Sequence, residues 1–496
     1  MLSCAALLGL TMLPLLGGCA GKTVTIDSDQ HKALLEKDRA DMARYEGQTI
    51  SLSLDQALKR AIEKNLDARV AEMDMVAQSG DVTLKQLEAT PQLKATRSLN
   101  MRSNDGASSS RSVQSGLQSL EPSQSTDRRR MTTSLEANWN LLDAGLAIAE
   151  SARMEDESGI PLERYSKVIQ NIERDVFAAY WRAYEFQRNR KSIETIIKGS
   201  EHHLVNLNRA LNKKLMAADA AGDQAAELED KMRLMHDLEA NLASAEIELK
   251  ALLSYPQSSI LELKQPNSNN PQIENLIKGN IQDQEWAALK SRPELREEVY
   301  QKNSAVKKVR QELLKTLPGI EPLVSYNTDT NSFLQESQWT NFTLGITQNI
   351  LNVLTLPMRY EAAKQKEVQA DARRQALGAA LIAQVHLSRQ RLDQDINRCD
   401  SAKRSASIAQ KRSNAKVQKA KAGFISGSEK LMAQTDAQIA GLRKSVSCAA
   451  MQDSYAAMIN ALGQHIYKGE LPTERIKDQK AELKKQNFNK MGGVNG

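Results

Sequence analysis

Twice along this chain of 496 residues a charged amphipathic stretch runs into a proline and then gives way to an alternating segment. "NLDARVAEMDMVAQSGDVTLKQLEATP" runs from Asn65 to Pro91, a separation of 26, and "RPELREEVYQKNSAVKKVRQELLKTLP" runs from Arg292 to Pro318, also 26. Asp143 to Val176 and Asn352 to Val385 are both 33 apart, and Val176 to Leu253 and Val385 to Leu462 are both 77 apart. Three matched spacings are the mark of an internal duplication. Such a chain folds as two copies of one supersecondary unit.

Within each copy the hydrophobic period changes. From Met131 to Leu141 the odd positions are apolar apart from Thr133, and the even ones are polar, as in Leu135, Ala137 and Trp139 against Ser134, Glu136 and Asn138. Period-two alternation makes a strand with one apolar and one polar face. "NFTLGITQNI" repeats it with Phe342, Leu344, Ile346 and Ile350. The expected strands are about 92–102, 131–141, 320–328 and 341–350. About ten alternating residues is also the length of a membrane-spanning β-strand. Pro91 to Asp143 is 52 residues and Pro318 to Asn352 only 34; the surplus of 18 falls in the Ser/Gln/Gly-rich stretch 102–130, which predicts an exposed loop in the first copy. Arg128-Arg129-Arg130 at its end is placed at the outer rim, where it would meet anionic headgroups.

The remainder is helical in character. Twelve prolines and 24 glycines are few for this length, and an apolar share of 41% with 4% aromatics fits long helices with narrow buried stripes. Asp143 to Asp219 would reach roughly 115 Å as one helix. Leu54–Thr90 and Ala220–Leu253 together would lie beside it, and 255–276, rich in proline, is expected to be non-helical. The net charge of +6 is spread along the chain and gives no case for nucleic acid.

"MLSCAALLGLTMLPLLGGC" carries no charge and ends in Leu16-Gly17-Gly18-Cys19, as an export signal does. It resembles a bacterial lipoprotein signal in which Cys19 receives the lipid, although no Lys or Arg precedes the apolar run and Met1 need not be the true start. Of the four cysteines, Cys399 and Cys448 then remain. They flank a turn between Gly423 and Phe424 at equal heights on antiparallel helices; their height permits a disulfide, while the usual distance between helix axes discourages it. No catalytic constellation, cofactor motif or metal spacing is present, and His202-His203 points two ways on one helix. An enzyme is not expected.

The order lipobox, "LSLDQALKRAIEKN", strand pair closing on "WNLLDAG", long helix, "RPEL", second strand pair and "GFISGSEKLMAQ" resembles the TolC-like outer membrane factor family over roughly 51–464. The resemblance implies a mainly α chain with a small membrane β-barrel. Duplicated helix-strand-strand-helix repeats would trimerise into a 12-stranded barrel on a long α-helical tunnel. The implied segments are a signal at 1–18, a lipidated stretch at 19–50, repeats at 51–255 and 291–464, an equatorial linker at 256–290 and a tail at 465–496. The implied role is a passive exit duct for efflux or secretion. A lipid-anchored homotrimer in the outer membrane would extend into the periplasm toward an adaptor and an inner-membrane transporter. Gly423 and Gly427 would turn the second hairpin, and Asp219, Asp223 and Glu429 would form an acidic gate at its level. Met432 stands where a second acid of the motif is expected. A lipid-anchored periplasmic adaptor or a coiled-coil spacer are the alternatives; neither accounts for two hairpins with four alternating strands.

Overall fold

The computed structural model describes residues 28–43, 45–119, 121–267 and 271–471. Cys19, the signal segment and the tail beyond 471 lie outside these residues. After α1 (Ser28–Ala43) and the short β1 (Thr49–Leu52), the first repeat begins with α2 (Leu54–Lys64) and α3 (Leu66–Leu87). Asn65 separates the two: its extended backbone ends α2, and its side chain accepts from the amides of Asp67 and Ala68 to cap α3. The expected single helix 54–90 is thus two. β2 (Gln92–Met101) follows, then a loop carrying β3 (Ala107–Ser108) and β4 (Ser123–Gln124), then β5 (Arg129–Asn138), α4 (Leu141–Glu157), α5 (Ile160–Asn212) and α6 (Ala218–Leu252).

β6 (Ile260–Leu263) pairs in parallel with β1. The stretch expected to be non-helical contains α7 (Pro271–Lys278), with α8 (Ile281–Ser291) close behind. Pro271 opens α7, because proline costs nothing at the start of a helix where its missing N–H has no partner. The second repeat continues with α9 (Pro293–Leu314), β7 (Gly319–Asp329), β8 (Gln338–Thr347), α10 (Ile350–Lys421) and α11 (Gly427–Ala461).

The duplication holds to the residue. Leu141 and Ile350 open α4 and α10, 209 apart, and Asn212 and Lys421 close α5 and α10 at the same offset. The bounds of α2, α3, α8 and α9 match with an offset of 227, for example Leu66 with Pro293. The two strands expected at 131–141 and 341–350 lie two to three residues earlier, because Asn140 and Asn349 cap the following helices with their side chains and pull the chain out of the sheet. α4 and α5 replace the single helix expected from Asp143 to Asp219. Pro161 cannot donate to the preceding turn, and the break at Ser158-Gly159 lets the Tyr300 ring pack where a Cβ on Gly159 would sit only 2.6 Å from it.

The four strands form one antiparallel sheet in the order β2-β5-β7-β8, leaving β2 and β8 as its edges. Two buried clusters lie at the level of β1 and β6, around Tyr165, Ile169 and Tyr180, and around Phe177, Tyr455 and Ile459. His465 and the Ile466 amide dock the chain on the buried Glu173 carboxylate, at 3.0 and 2.8 Å. A third cluster, around Ile193, Met235 and Leu442, joins the two helical hairpins farther along.

Cys399 and Cys448 are joined by a disulfide, with Cα atoms 4.7 Å apart. The spacing of helix axes is an average over the seam, whereas these two residues face each other across it and bring their Cα atoms within bonding reach. Among the described residues no helix is long and apolar enough to cross a membrane, which says nothing of the sheet.

Candidate functional site

The first feature that could carry function is the sheet. Its register aligns whole rows of side chains across four strands. One row runs Leu93, Ala137, Val324, Phe342, and the next row on the other face runs Lys94, Glu136, Ser325, Asn341. The apolar face is bare, with Leu93 77% and Ile346 70% exposed. A sheet in water would cover such a face with helices. On the polar face Arg130 meets the buried Asp329 at 3.2 Å, and Asn138 donates to Glu321 at 2.6 Å. Arg97 lies on the apolar face in a polar row with Thr133, Thr328 and Gln338, and Tyr326 donates to Gln338 at 2.6 Å.

Arg128-Arg129-Arg130 does not form one patch. Arg128 makes a two-pronged contact with Asp105, Arg130 turns to the polar face, and strand alternation leaves Arg129 alone of the three on the apolar side.

The second feature is the far end of the hairpins. Ser426 caps α11 by accepting from the Glu429 amide, and Gly423 makes the turn with a φ of +78°. Gly427 is already the first residue of α11 and plays no part in the turn. Ser428 donates to Gln224 at 3.1 Å and meets His203 Nε2 at 3.0 Å; with the Lys231–Asp436 pair this matches α6 to α11 at offsets of 204 and 205, against the 209 expected from the repeat. Burial, reinforced by the adjacent His202, holds the His203 imidazole below its usual range.

The three expected acids do not share one environment. Glu429 faces Lys416 at 3.2 Å on the rim of a cavity of about 430 Å³, and Asp219 and Asp223 stand exposed on α6 outside it. The cavity is lined by a mixed network that sequence reasoning missed. Lys231 contacts Glu227 at 2.6 Å and Asp436 at 2.8 Å, and Arg412 contacts Asp436 from the other side. Burial works against the charge on Lys231, but the hydrogen bonds to Asp436 and Glu227 outweigh it and raise its pKa. The i,i+4 spacing of Glu227 and Lys231 was a visible signal; that Asp436 joins them depends on how α6 and α11 cross. Among the described residues no His, Cys, Asp and Glu group is arranged to hold a metal.

No protein-family model matches the chain, and no curated protein matches it in sequence. Its fold matches solved structures of outer membrane channels. CmeC of Campylobacter jejuni aligns with a TM-score of 0.63 at 12% identity over 86% of this chain and 88% of that one. VceC of Vibrio cholerae gives 0.61 at 12% over 86% and 98%. The open state of MtrE from Neisseria gonorrhoeae gives 0.61 at 15% over 83% and 89%. At these identities the likeness establishes the fold: the chain has the TolC-like architecture of outer membrane channel proteins.

Proposed function

We propose that the chain is one subunit of an outer membrane channel-tunnel, the passive exit duct of an efflux or secretion apparatus. The observation that carries this reading is the sheet: a bare apolar face, a paired polar face and two open edges, set on helices as long as the 72 residues of α10. In lipid an unpaired edge is forbidden, so the sheet must close with other copies. Three copies of four strands make a twelve-stranded barrel, polar within and apolar toward lipid. At 1.5 Å per residue α10 spans about 108 Å, enough to carry the duct well into the periplasm. The fold supports a channel, and the protein is read as a duct.

Acylated Cys19 would add a lipid anchor, marginal by itself beside a barrel. The hairpin ends would meet a periplasmic adaptor and, through it, an inner-membrane transporter that supplies the energy. Asp219, Asp223 and Glu429 would repeat around the narrow end and attract cations, with Glu429 partly neutralised by Lys416. Detergent-extracted protein should sediment as a trimer and give discrete conductance steps in planar bilayers. A monomer extracted by salt alone would refute the channel. Multivalent-cation block that survives Ala substitution of each acid in turn would refute the gate and leave the duct standing.

A further inference from the structure

The bare face of the sheet carries two charges that its apolar rows do not explain. Arg97 is exposed on that face, directly across from Thr133, and its side chain does not stand straight out. Its Nε lies 3.1 Å from Sδ of Met131, the diagonal neighbour one row nearer the loops. Long side chains reach such diagonal neighbours across a sheet. The guanidinium is thereby carried toward the outer rim, as happens when a cationic side chain lays its stem on apolar surface and keeps its charge near water. Arg129 is the next residue on the same face of β5, two positions beyond Met131 and about 6.6 Å along the strand. Two guanidinium groups from neighbouring strands therefore flank one methionine. Among the described residues neither is ion-paired, whereas Asp105 is held by Arg128, Asp127 by Ser332 and Asp329 by Arg130.

We propose that Arg97 and Arg129 together hold the phosphate of an anionic lipid in the outer leaflet, one lipid per subunit. The proposal rests on the channel-subunit reading above. Height supports it. The Thr330 amide donates to the Met131 carbonyl, and from Thr330 back along β7 to Ile320, which pairs with Ile346 in the lowest apolar row of the sheet, is ten residues. At about 3.3 Å per residue and a tilt of about 40° the rise is about 25 Å, the height of the apolar band of a barrel. Met131 then marks the outer edge of the hydrocarbon, where lipid phosphates begin. A guanidinium on a lipid face is costly at the midplane and nearly free at this boundary. Chemistry supports it as well. Guanidinium groups donate in pairs to phosphate oxygens, and two unpaired cations at the edge of an apolar surface fit a ligand with an acidic head and apolar tails. Of the three consecutive arginines only Arg129 takes part, and its companion comes from β2, 32 positions earlier.

The test is native mass spectrometry of the full-length protein in detergent, titrated with phosphatidylglycerol and, as reference, with zwitterionic phosphatidylcholine. The same spectrum gives the oligomeric state, and two separate variants keep the test intact if one misassembles. The trimer should take up phosphatidylglycerol in preference to phosphatidylcholine. Arg97→Gln and Arg129→Gln should each weaken that uptake about tenfold, the loss of one charge-assisted contact. Lys94→Gln removes the same charge from the polar face of the same strand and should change nothing. An equal loss with Lys94→Gln, equal uptake of the two lipids by the trimer, or displacement of the lipid by inorganic phosphate overturns the site alone. A protein that is monomeric and takes up neither lipid overturns the site together with the channel reading.

Discussion

The two repeats reach one backbone by different local chemistry. α4, the break at Ser158-Gly159 and α5 fill the same 72 positions that α10 fills without interruption. At the hairpin turn both copies need a left-handed residue: Gly423 at φ +78° in the second and Lys214 at +55° in the first, 209 positions earlier. The same holds after the returning helix, where Gly463 at +68° corresponds to Ser254 at +53°. The hairpin of the second repeat is bonded through Cys399 and Cys448, and the equivalent positions of the first hold Arg190 and Glu239, which pair within their own helices. The backbone path is therefore common property, while turn glycines, the disulfide and the kink are separate solutions.

The sharpest way to break this comparison is to exchange the residues after the returning helices. Ser254 has room for its side chain and donates to Lys64 O at 3.0 Å, whereas a Cβ on Gly463 would lie 2.7 Å from the Ser291 carbonyl carbon. Gly463→Ser should therefore cost about 2–5 kcal/mol, combining left-handed strain with a backbone clash, and should lower the thermal midpoint in detergent steeply. The reverse exchange in the first repeat, Ser254→Gly, should be nearly silent by comparison, because it trades one hydrogen bond for relief of strain.

Next in size is the disulfide. Closing a loop of 49 residues is worth about 4 kcal/mol on the chain-entropy account, with about 2–4 typical in practice. Replacing both cysteines by alanine, or reducing the bond, should destabilise the second hairpin by that amount and bring its amide exchange toward that of the first. Unequal hairpins after reduction would show that the difference lies elsewhere. In the opposite direction, Lys214→Gly should stabilise the first hairpin by about 1 kcal/mol by removing left-handed strain from a residue with a Cβ, read as a raised thermal midpoint.

A pH effect should separate the two repeats. The lowered His203 pKa means that the unfolded chain binds the proton more readily than the folded one. The contribution of this contact is complete above the ordinary imidazole range of about 6.5 and is lost as pH falls below it. The equivalent place in the second repeat holds Arg412, which pairs with Asp436. Amide protection factors at the hairpin tips, taken against intrinsic exchange at each pH, should fall between neutral and mildly acidic pH, and His203→Gln should flatten that profile. The smallest effect is expected from deleting Ser108–Glu121, which removes most of the surplus that the second repeat lacks: its described residues are exposed, so stability should change by no more than about 0.5 kcal/mol and the trimer should persist.

Much of this was legible in the order of residues because the signals are local and periodic. Alternation located four strands to within a few residues, and three matched spacings, Asn65–Pro91 with Arg292–Pro318 among them, revealed two copies of one unit. The capping asparagines were equally visible, and Asn140 and Asn349 account for most of the boundary error. At the hairpin ends, counting along the helices brought α6 and α11 to within about five residues of their observed match and could not say which side chains share a cavity.

The sequence by itself determined the duplication, the two-faced strands and the long helices, since each follows from a repeat of 2 or 3.6 residues that the backbone enforces wherever the chain ends up. Only the tertiary structure decided the rest: that Cys399 meets Cys448, that Tyr300 occupies the space beside Gly159, and that Glu429 faces Lys416 and not Asp219 or Asp223. Those contacts join residues from different helices. Their distances depend on how the helices rotate and cross, and a rotation of one residue, about 100°, replaces one set of neighbours by another.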